Sequence, residues 1–541
     1  MMQKKIICLS IIFVIAFVLL FGVLGCEPSS KPPVKMQAKI TSKPKSADSN
    51  PPAGTPAALW VTAEESSASE AKDASQQARE SGEAVQPVSA SSAYKTSDDD
   101  SNKVSGGSGQ EDAESSEAPG ASDEIIESKA DTSSCNPMQQ EFITDLVVRQ
   151  ETKTAVPGAR VQYTDPVFGT CITRVTDAKQ DKSAEDESAG IKNEYSRVQA
   201  FNSDNTRFII RGIAGTWYIY STSNLEPVKE ISIGTDPRWD SENPDILYHS
   251  DGTGLYSYDV DSDKNSLLHD FASDFPGKEL AAAWTRYEGS PSYDSRYWGI
   301  MAQDNDWKIA GFAVYDAEED KVLAKRDIAG EYGADSVTIS PSGDYFLAYF
   351  DNYCEHGELG TDSSPCGLMV YDRDLTNGRG LLRIIGHSDT AVDAKGDDVL
   401  VYQDIDTDSI SMLNLKTGKV TALFPIDFSH TSIGLHFSGR ASKVPGWALV
   451  STYNGGSPSD YTWMDDQIFA VELRENGKVA RLAHHHSLYN EEEEHDYWAE
   501  PHATVNQDFT RVLFTSNWGK TGTEEVETYM ISLPRGWTGK I

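Results

Sequence analysis

Seven times along the chain, a polar turn of Asn, Asp, Ser, Gly or Pro leads straight into a run of β-branched, aromatic and aliphatic residues. The copies begin near Phe201-Asn-Ser-Asp-Asn, Trp239-Asp-Ser-Glu-Asn, Gly289-Ser-Pro-Ser-Tyr-Asp, Ile339-Ser-Pro-Ser-Gly-Asp, Val392-Asp-Ala-Lys-Gly-Asp, Phe437-Ser-Gly-Arg and Val505-Asn-Gln-Asp. The sixth copy is split by an insertion before Gly446-Trp-Ala-Leu-Val. A turn of this composition between two such runs predicts a hairpin. A third run follows in most copies, for example Thr216-Trp-Tyr-Ile-Tyr and Gly367-Leu-Met-Val-Tyr-Asp, then a fourth such as Lys321-Val-Leu-Ala-Lys-Arg. Four short strands repeating every 40 to 50 residues or so predict a β-propeller. No helical period competes.

A propeller has to close, because an open ring leaves unpaired sheet edges. The seventh copy reaches its third run at Glu527-Thr-Tyr-Met-Ile-Ser-Leu, and no fourth run follows before Ile541. A spare run, Gly169-Thr-Cys-Ile-Thr-Arg-Val-Thr, precedes the first copy. The expected fold is therefore all-β: a seven-bladed propeller over residues 136–541, closed by an N-terminal strand. Asp236-Pro-Arg-Trp and Ile339-Ser-Pro-Ser-Gly-Asp-Tyr resemble the repeats of TolB-like and WD-like propellers. That resemblance covers most of residues 160–541 and implies the fold; these propellers host many activities.

Composition changes the picture at the N-terminus. Lys4 and Lys5 precede an apolar run over residues 6–24, then Gly25 and Cys26. This is the layout of a secretory signal. Val23-Leu-Gly-Cys26 resembles the lipobox of bacterial lipoproteins, which implies a lipoprotein signal over residues 1–26 whose Cys26 is lipidated and becomes the new first residue. An uncleaved anchor is the alternative reading of the same run. Both predict a membrane-tethered chain in the cell envelope. By the family's sorting rule, Glu27 in place of Asp favours the outer membrane or cell surface. Residues 27–135 are rich in Ser, Ala, Pro and acidic residues and poor in aromatics. They are expected to be a disordered linker, with too little apolar area to offset chain entropy. A coil of that length spans roughly 60 Å. The chain carries 47 Lys+Arg against 84 Asp+Glu, a formal charge of −37. That balance argues against nucleic acid as a partner.

Four cysteines remain after Cys8 and Cys26, an even number in an oxidising compartment. Cys354 and Cys366 bracket one polar loop and are expected to bridge it. Cys135 and Cys171 would pin the start of the folded body to the closing strand. No Cys-x-x-Cys spacing supports a metal site instead.

When the copies are superposed, Asp236, Asp335, Asp389 and His502 fall at one position ahead of the polar turn, with Tyr287 in the third copy. His430 is the sixth member, in a register blurred by the insertion. His387 and Glu500 stand two residues earlier, one side-chain period of a strand. Arg197, Arg238, Arg286 and His436 lie close by. First strands line the axis of a propeller, so these side chains are expected to ring its mouth. Carboxylates with imidazoles suit a divalent cation such as Mn²⁺ or Ca²⁺. Bonding of the Asp side chains to neighbouring backbone is the purely structural alternative.

The clustering of imidazoles, with Glu500-Pro-His502 ahead of Val512-Leu-Phe-Thr-Ser-Asn, resembles the oligogalacturonate lyases. These are seven-bladed propellers in which His and Gln hold Mn²⁺ and a His and an Arg promote β-elimination of a uronate. The resemblance implies His387 or His430 as base, Arg440 or Arg286 as partner of the uronate carboxylate, and His502, with His436 and Glu500, on the metal. The family's Gln-x-x-His-x-His is absent, and Glu500 stands where a neutral ligand is expected.

Trp284 and Tyr287, or Tyr461 and Trp463, offer rings for stacking on sugars or for packing between blades. His484-His485-His486, ahead of Glu491 to His495, reads as a solvated loop or a further metal site. Asp259-x-Asp-x-Asp263 and Asp404-x-Asp-x-Asp408 lack the Gly and Glu of a Ca²⁺ loop and fit hairpin turns. No nucleophile elbow, P-loop or dinucleotide fingerprint is present. Two functions follow: a tethered propeller displaying a face for a saccharide or protein ligand, or a metal-dependent polysaccharide lyase using that face.

Overall fold

The structure, a computed structural model, describes residues 135–328, 333–454, 460–490 and 494–541. Cys26, the expected signal and all but Cys135 of the linker expected over residues 27–135 lie outside them. Seven antiparallel sheets follow one another around an axis. The first six have four strands each, and their innermost strands are Ile191–Lys192, Thr235–Trp239, Leu280–Trp284, Ala334–Ile339, Ser388–Val392 and Gly434–Ser438. The seventh sheet begins with Thr504–Val505 and closes as expected. Cys171–Arg174 pairs antiparallel with Glu527–Ser532, with Cys171 opposite Ser532 and Arg174 opposite Tyr529. A further strand, Gln162–Thr164, adds a fifth member outside it.

The recurring polar turn has a physical reason. A side-chain oxygen at its first residue accepts the backbone N–H five residues on: Asn202 from Arg207, Ser292 from Tyr297, Ser340 from Tyr345 and Asn506 from Arg511. This closes the hairpin at the start of the second strand. The fourth residue of the turn takes a left-handed φ, at Asn205, Ser295, Gly343, Gly396 and Phe509. The core lies between blades. Val399, Val401 and Met412 of blade 5, for example, pack with Leu435, Phe437, Val450 and Phe469 of blade 6.

Both expected disulfides are present, with Cα–Cα separations of 5.5 Å for Cys135–Cys171 and 5.2 Å for Cys354–Cys366. The first fastens the N-terminal segment, which then runs along blade 6: Ile143 bridges Arg481, and His484 Nε2 and the Arg149 carbonyl oxygen are 3.0 Å apart. This segment overturns the solvated-loop reading of His484, His485 and His486. All three are buried, and His486 Nδ1 lies 2.6 Å from Glu151. The side chains of residues 491–495 are outside the described ones.

One irregularity shapes the site. In blade 1, Lys192 pairs with Arg211, and the next bond on that edge joins Ile209 to Ala200. The intervening residues 193–199 bulge out of the sheet into the axial channel. They are held there by other blades: Ser290 Oγ donates to the Arg197 carbonyl, Thr504 Oγ1 to the Val198 carbonyl, and Gln199 Nε2 to the Arg440 carbonyl.

Candidate functional site

At the end of the channel where the innermost strands begin, four blades bring imidazole, carboxylate and phenol together. His387 directly precedes the first strand of blade 5, His436 sits within that of blade 6, and Glu500 and His502 precede that of blade 7. The bulge adds Tyr195 and Arg197 from blade 1. His436 Nε2 lies 2.7 Å from Glu500 Oε2, and His502 Nε2 lies 3.4 Å from the same oxygen. One ligand atom from each of the three residues falls within 4.8 Å of the other two. His387 packs edge-on against His436 at 4.6 Å, and its Nδ1 is 3.1 Å from the Tyr195 hydroxyl. His436 stacks on Tyr453 at 5.0 Å.

His436, Glu500 and His502 are 1%, 4% and 0% exposed. Burial holds all three imidazoles, those of His387, His436 and His502, well below the ordinary histidine range. The charge of Lys192, whose Nζ is 3.4 Å from His502 Nδ1, acts in the same direction on His436 and His502. They are therefore neutral at physiological pH, the form in which imidazole binds metal or accepts a proton.

The donor set fits a divalent cation. Two ligands about 2.1 Å from one ion at bond angles of about 90–110° stand about 3.0–3.4 Å apart. The separations of 2.7 and 3.4 Å on Glu500 Oε2 are close to this. His502 Nε2 is buried with no hydrogen-bond partner among the described residues, an orphan that a cation would satisfy. Left-handed backbone at Asp236, Arg286, Tyr287 and His502 concentrates strain at this mouth, as is common at functional sites.

Beside the imidazoles lies a small cavity of about 40 Å³ lined by Tyr195, Arg197, Glu288, Asp335, Tyr349 and His387 among others. Arg197 Nη1 is 2.5 Å from Glu288 Oε2, which spans from blade 1 to blade 3. Burial nevertheless pushes the Glu288 carboxyl up to about 7, and Asp335 moves upward for the same reason.

Not every candidate converges. His430 is on an exposed turn, 2.8 Å from Asp427, and is not part of the buried cluster. Arg440 follows the first strand of blade 6 and forks onto Asp389 at 2.7 and 3.0 Å, away from the imidazoles. Asp389 also accepts the Gly439 N–H, and Asp236 accepts the Thr285 N–H and hydroxyl. These two carboxylates thus stitch neighbouring blades. Arg286 bonds the Ala334 and Asp335 carbonyls and lies 3.3 Å from the Asp335 carboxylate. Trp284 is buried and donates to Gln303, with Tyr287 edge-on at 4.8 Å. Trp463 packs between Phe424 and Phe469. The superposed repeats reach the imidazoles and Arg197 but not Tyr195, Lys192 or Glu288. The signal for the first two would have been the broken strand pattern of Lys192-Asn-Glu-Tyr-Ser-Arg-Val-Gln.

No family model and no curated protein matches the chain. Among solved structures, the chain is similar to an oligogalacturonate lyase in complex with manganese, at 15% identity and TM-score 0.48 over 69% of this chain and 96% of the other. An oligogalacturonate lyase from Vibrio parahaemolyticus aligns at 12% identity and TM-score 0.47, over 72% of this chain and 98% of that one. The β-propeller domain of Cps50 from Myceliophteria thermophila aligns at 12% identity and TM-score 0.38, over 63% and 97%.

Proposed function

We propose that the chain is a metal-assisted lyase of uronate-containing polysaccharide, tethered in the cell envelope through Cys26. The observation that carries this reading is the convergence of His387, His436, Glu500 and His502, all neutral imidazoles and one carboxylate, on one end of the channel. His436, His502 and Glu500 would hold the cation, which when bound would stabilise the enolate-like charge that develops on the uronate carboxylate. Arg197 adds positive charge on the same side. His387, donating from Nδ1 to Tyr195, keeps the Nε2 lone pair for the C5 proton. As that C–H bond breaks, its electron pair forms the C4–C5 double bond and expels O4. Glu288, protonated near neutrality, supplies the proton that O4 takes.

The near-complete burial of His436, Glu500 and His502 favours a second reading. In it the cation is a clamp that braces blades 6 and 7, and the mouth only binds a saccharide or protein ligand. Absorbance near 235 nm during incubation with uronate polymers separates the two. The lyase reading predicts an unsaturated product, with His387→Ala slowing its formation by about 10²–10⁴-fold. Saccharide binding without any such product would leave the display function.

A further inference from the structure

The innermost strands all run the same way along the axis, so residues just after them line the mouth opposite the imidazoles. A second cavity of about 50 Å³ lies there, lined by Arg238, Ser241, Tyr293, Ser295, Arg440 and Gln507 among others. None of its lining residues is a carboxylate. Two guanidinium groups reach it, 2% and 5% exposed. Arg440 uses Nε and Nη2 on Asp389 and Thr390, and its Nη1 has no acceptor among the described residues. The Arg440–Asp389 pair is neutral overall. Arg238 is different: it is fixed by the carbonyls of Pro237, Tyr287 and Gly289 and forms no ion pair among the described residues. The charges of Asp236 and Glu194 act on it only without a direct ion pair, and a buried guanidinium held by carbonyls alone is costly unless an anion completes the set.

Ser290, Ser292, Tyr293 and Gln199 of the lining are already committed as donors, whereas Gln507, Ser241 and Ser295 keep donor capacity. Gln507 is 6% exposed, and its amide makes no hydrogen bond among the described residues. The Ser241 hydroxyl is buried without a partner. Ser295 Oγ accepts the Ser241 N–H, which leaves its proton to give. Donors therefore come from blades 2, 3, 6 and 7, from several sides of one small space rather than in a plane. Such an array matches a tetrahedral oxyanion, whose acceptors point in several directions, better than a flat carboxylate.

We infer that this far mouth is a binding site for a phosphate- or sulfate-class oxyanion, held by Arg238, Arg440, Ser241 and Gln507. It is separate from the imidazole mouth, and its existence does not depend on lyase activity. Calorimetric titration of inorganic phosphate into the full chain tests it. One saturable site is expected. Gln507→Glu, which changes charge but hardly shape, should weaken binding at least about tenfold by setting a carboxylate against the anion. Ser241→Asp, on a partly exposed residue, should do the same, and thermal melts report that each variant is folded. Absence of saturable binding would overturn the inference, as would folded variants that bind phosphate as tightly as the wild type. Acetate binding as tightly as phosphate would overturn the tetrahedral assignment.

Discussion

His387 is the residue on which the proposed chemistry turns, and its protonation sets the pH profile. Because burial and the nearby His436 and Arg197 depress it, the neutral base persists below the ordinary histidine range. From pH 7 down past 6 activity should rise by no more than about twofold, as Glu288 takes up its proton, and fall only in more acid solution where His387 is protonated, as read from initial rates across pH. Glu288 gives a stability signature of the opposite sign. Its folded value, raised to about 7, means that the folded state holds the proton more tightly than the unfolded state, whose value is 4.5. The stability it contributes is complete below that unfolded value and is lost as pH rises through about 7. Urea denaturation between pH 5 and 8 should show the wild type losing on the order of 2 kcal/mol relative to Glu288→Gln. No pH-dependent difference between the two would show that Glu288 is ionised throughout. At this scale the sequence carries register but not depth. Superposed strands can place His387, Glu500 and His502 on one rim. They cannot tell that His484 to His486 are covered by the N-terminal segment, or that Arg440 faces the other way with Asp389.

The blade is legible because its turn chemistry is local. A buried Asn or Ser closing on the N–H five residues later leaves a recurring polar signature, and Asn506, which takes the Thr510 and Arg511 N–H groups, is its clearest case. Asn506→Ala should cost about 1–3 kcal/mol, measured by denaturant unfolding, because two partly buried donors lose their acceptor. The Cys354–Cys366 bridge is similarly local, and Cys366→Ser should cost about 3 kcal/mol by loop-closure entropy. The bulge over residues 193–199 is the element that sequence periodicity hides. It breaks the strand pattern of blade 1, and its partners Ser290, Arg440 and Thr504 are far away in the chain. Long-range bonds of that kind leave no spacing to read. Yet the bulge brings Tyr195 and Arg197 to the site, so the functional part of blade 1 is its least regular part.

For the whole molecule, ring closure decides whether any of this geometry exists. The strand Cys171–Arg174 joins residues more than three hundred positions apart in sequence and gives the seventh sheet the fourth strand that its C-terminal segments do not supply. Deleting residues 157–178 should abolish cooperative thermal unfolding; an unchanged melt would mean that the ring does not need its borrowed strand. Closure also holds His436 of blade 6 against Glu500 and His502 of blade 7. The account stands or falls on those three residues forming a cation centre. Titrating Mn²⁺ into metal-stripped protein, followed by electron paramagnetic resonance, measures this directly. One Mn²⁺ per chain is expected, lost in both His436→Ala and His502→Ala while the fold persists. Wild-type protein that leaves all added Mn²⁺ free in solution, or variants that retain the bound ion, would contradict it.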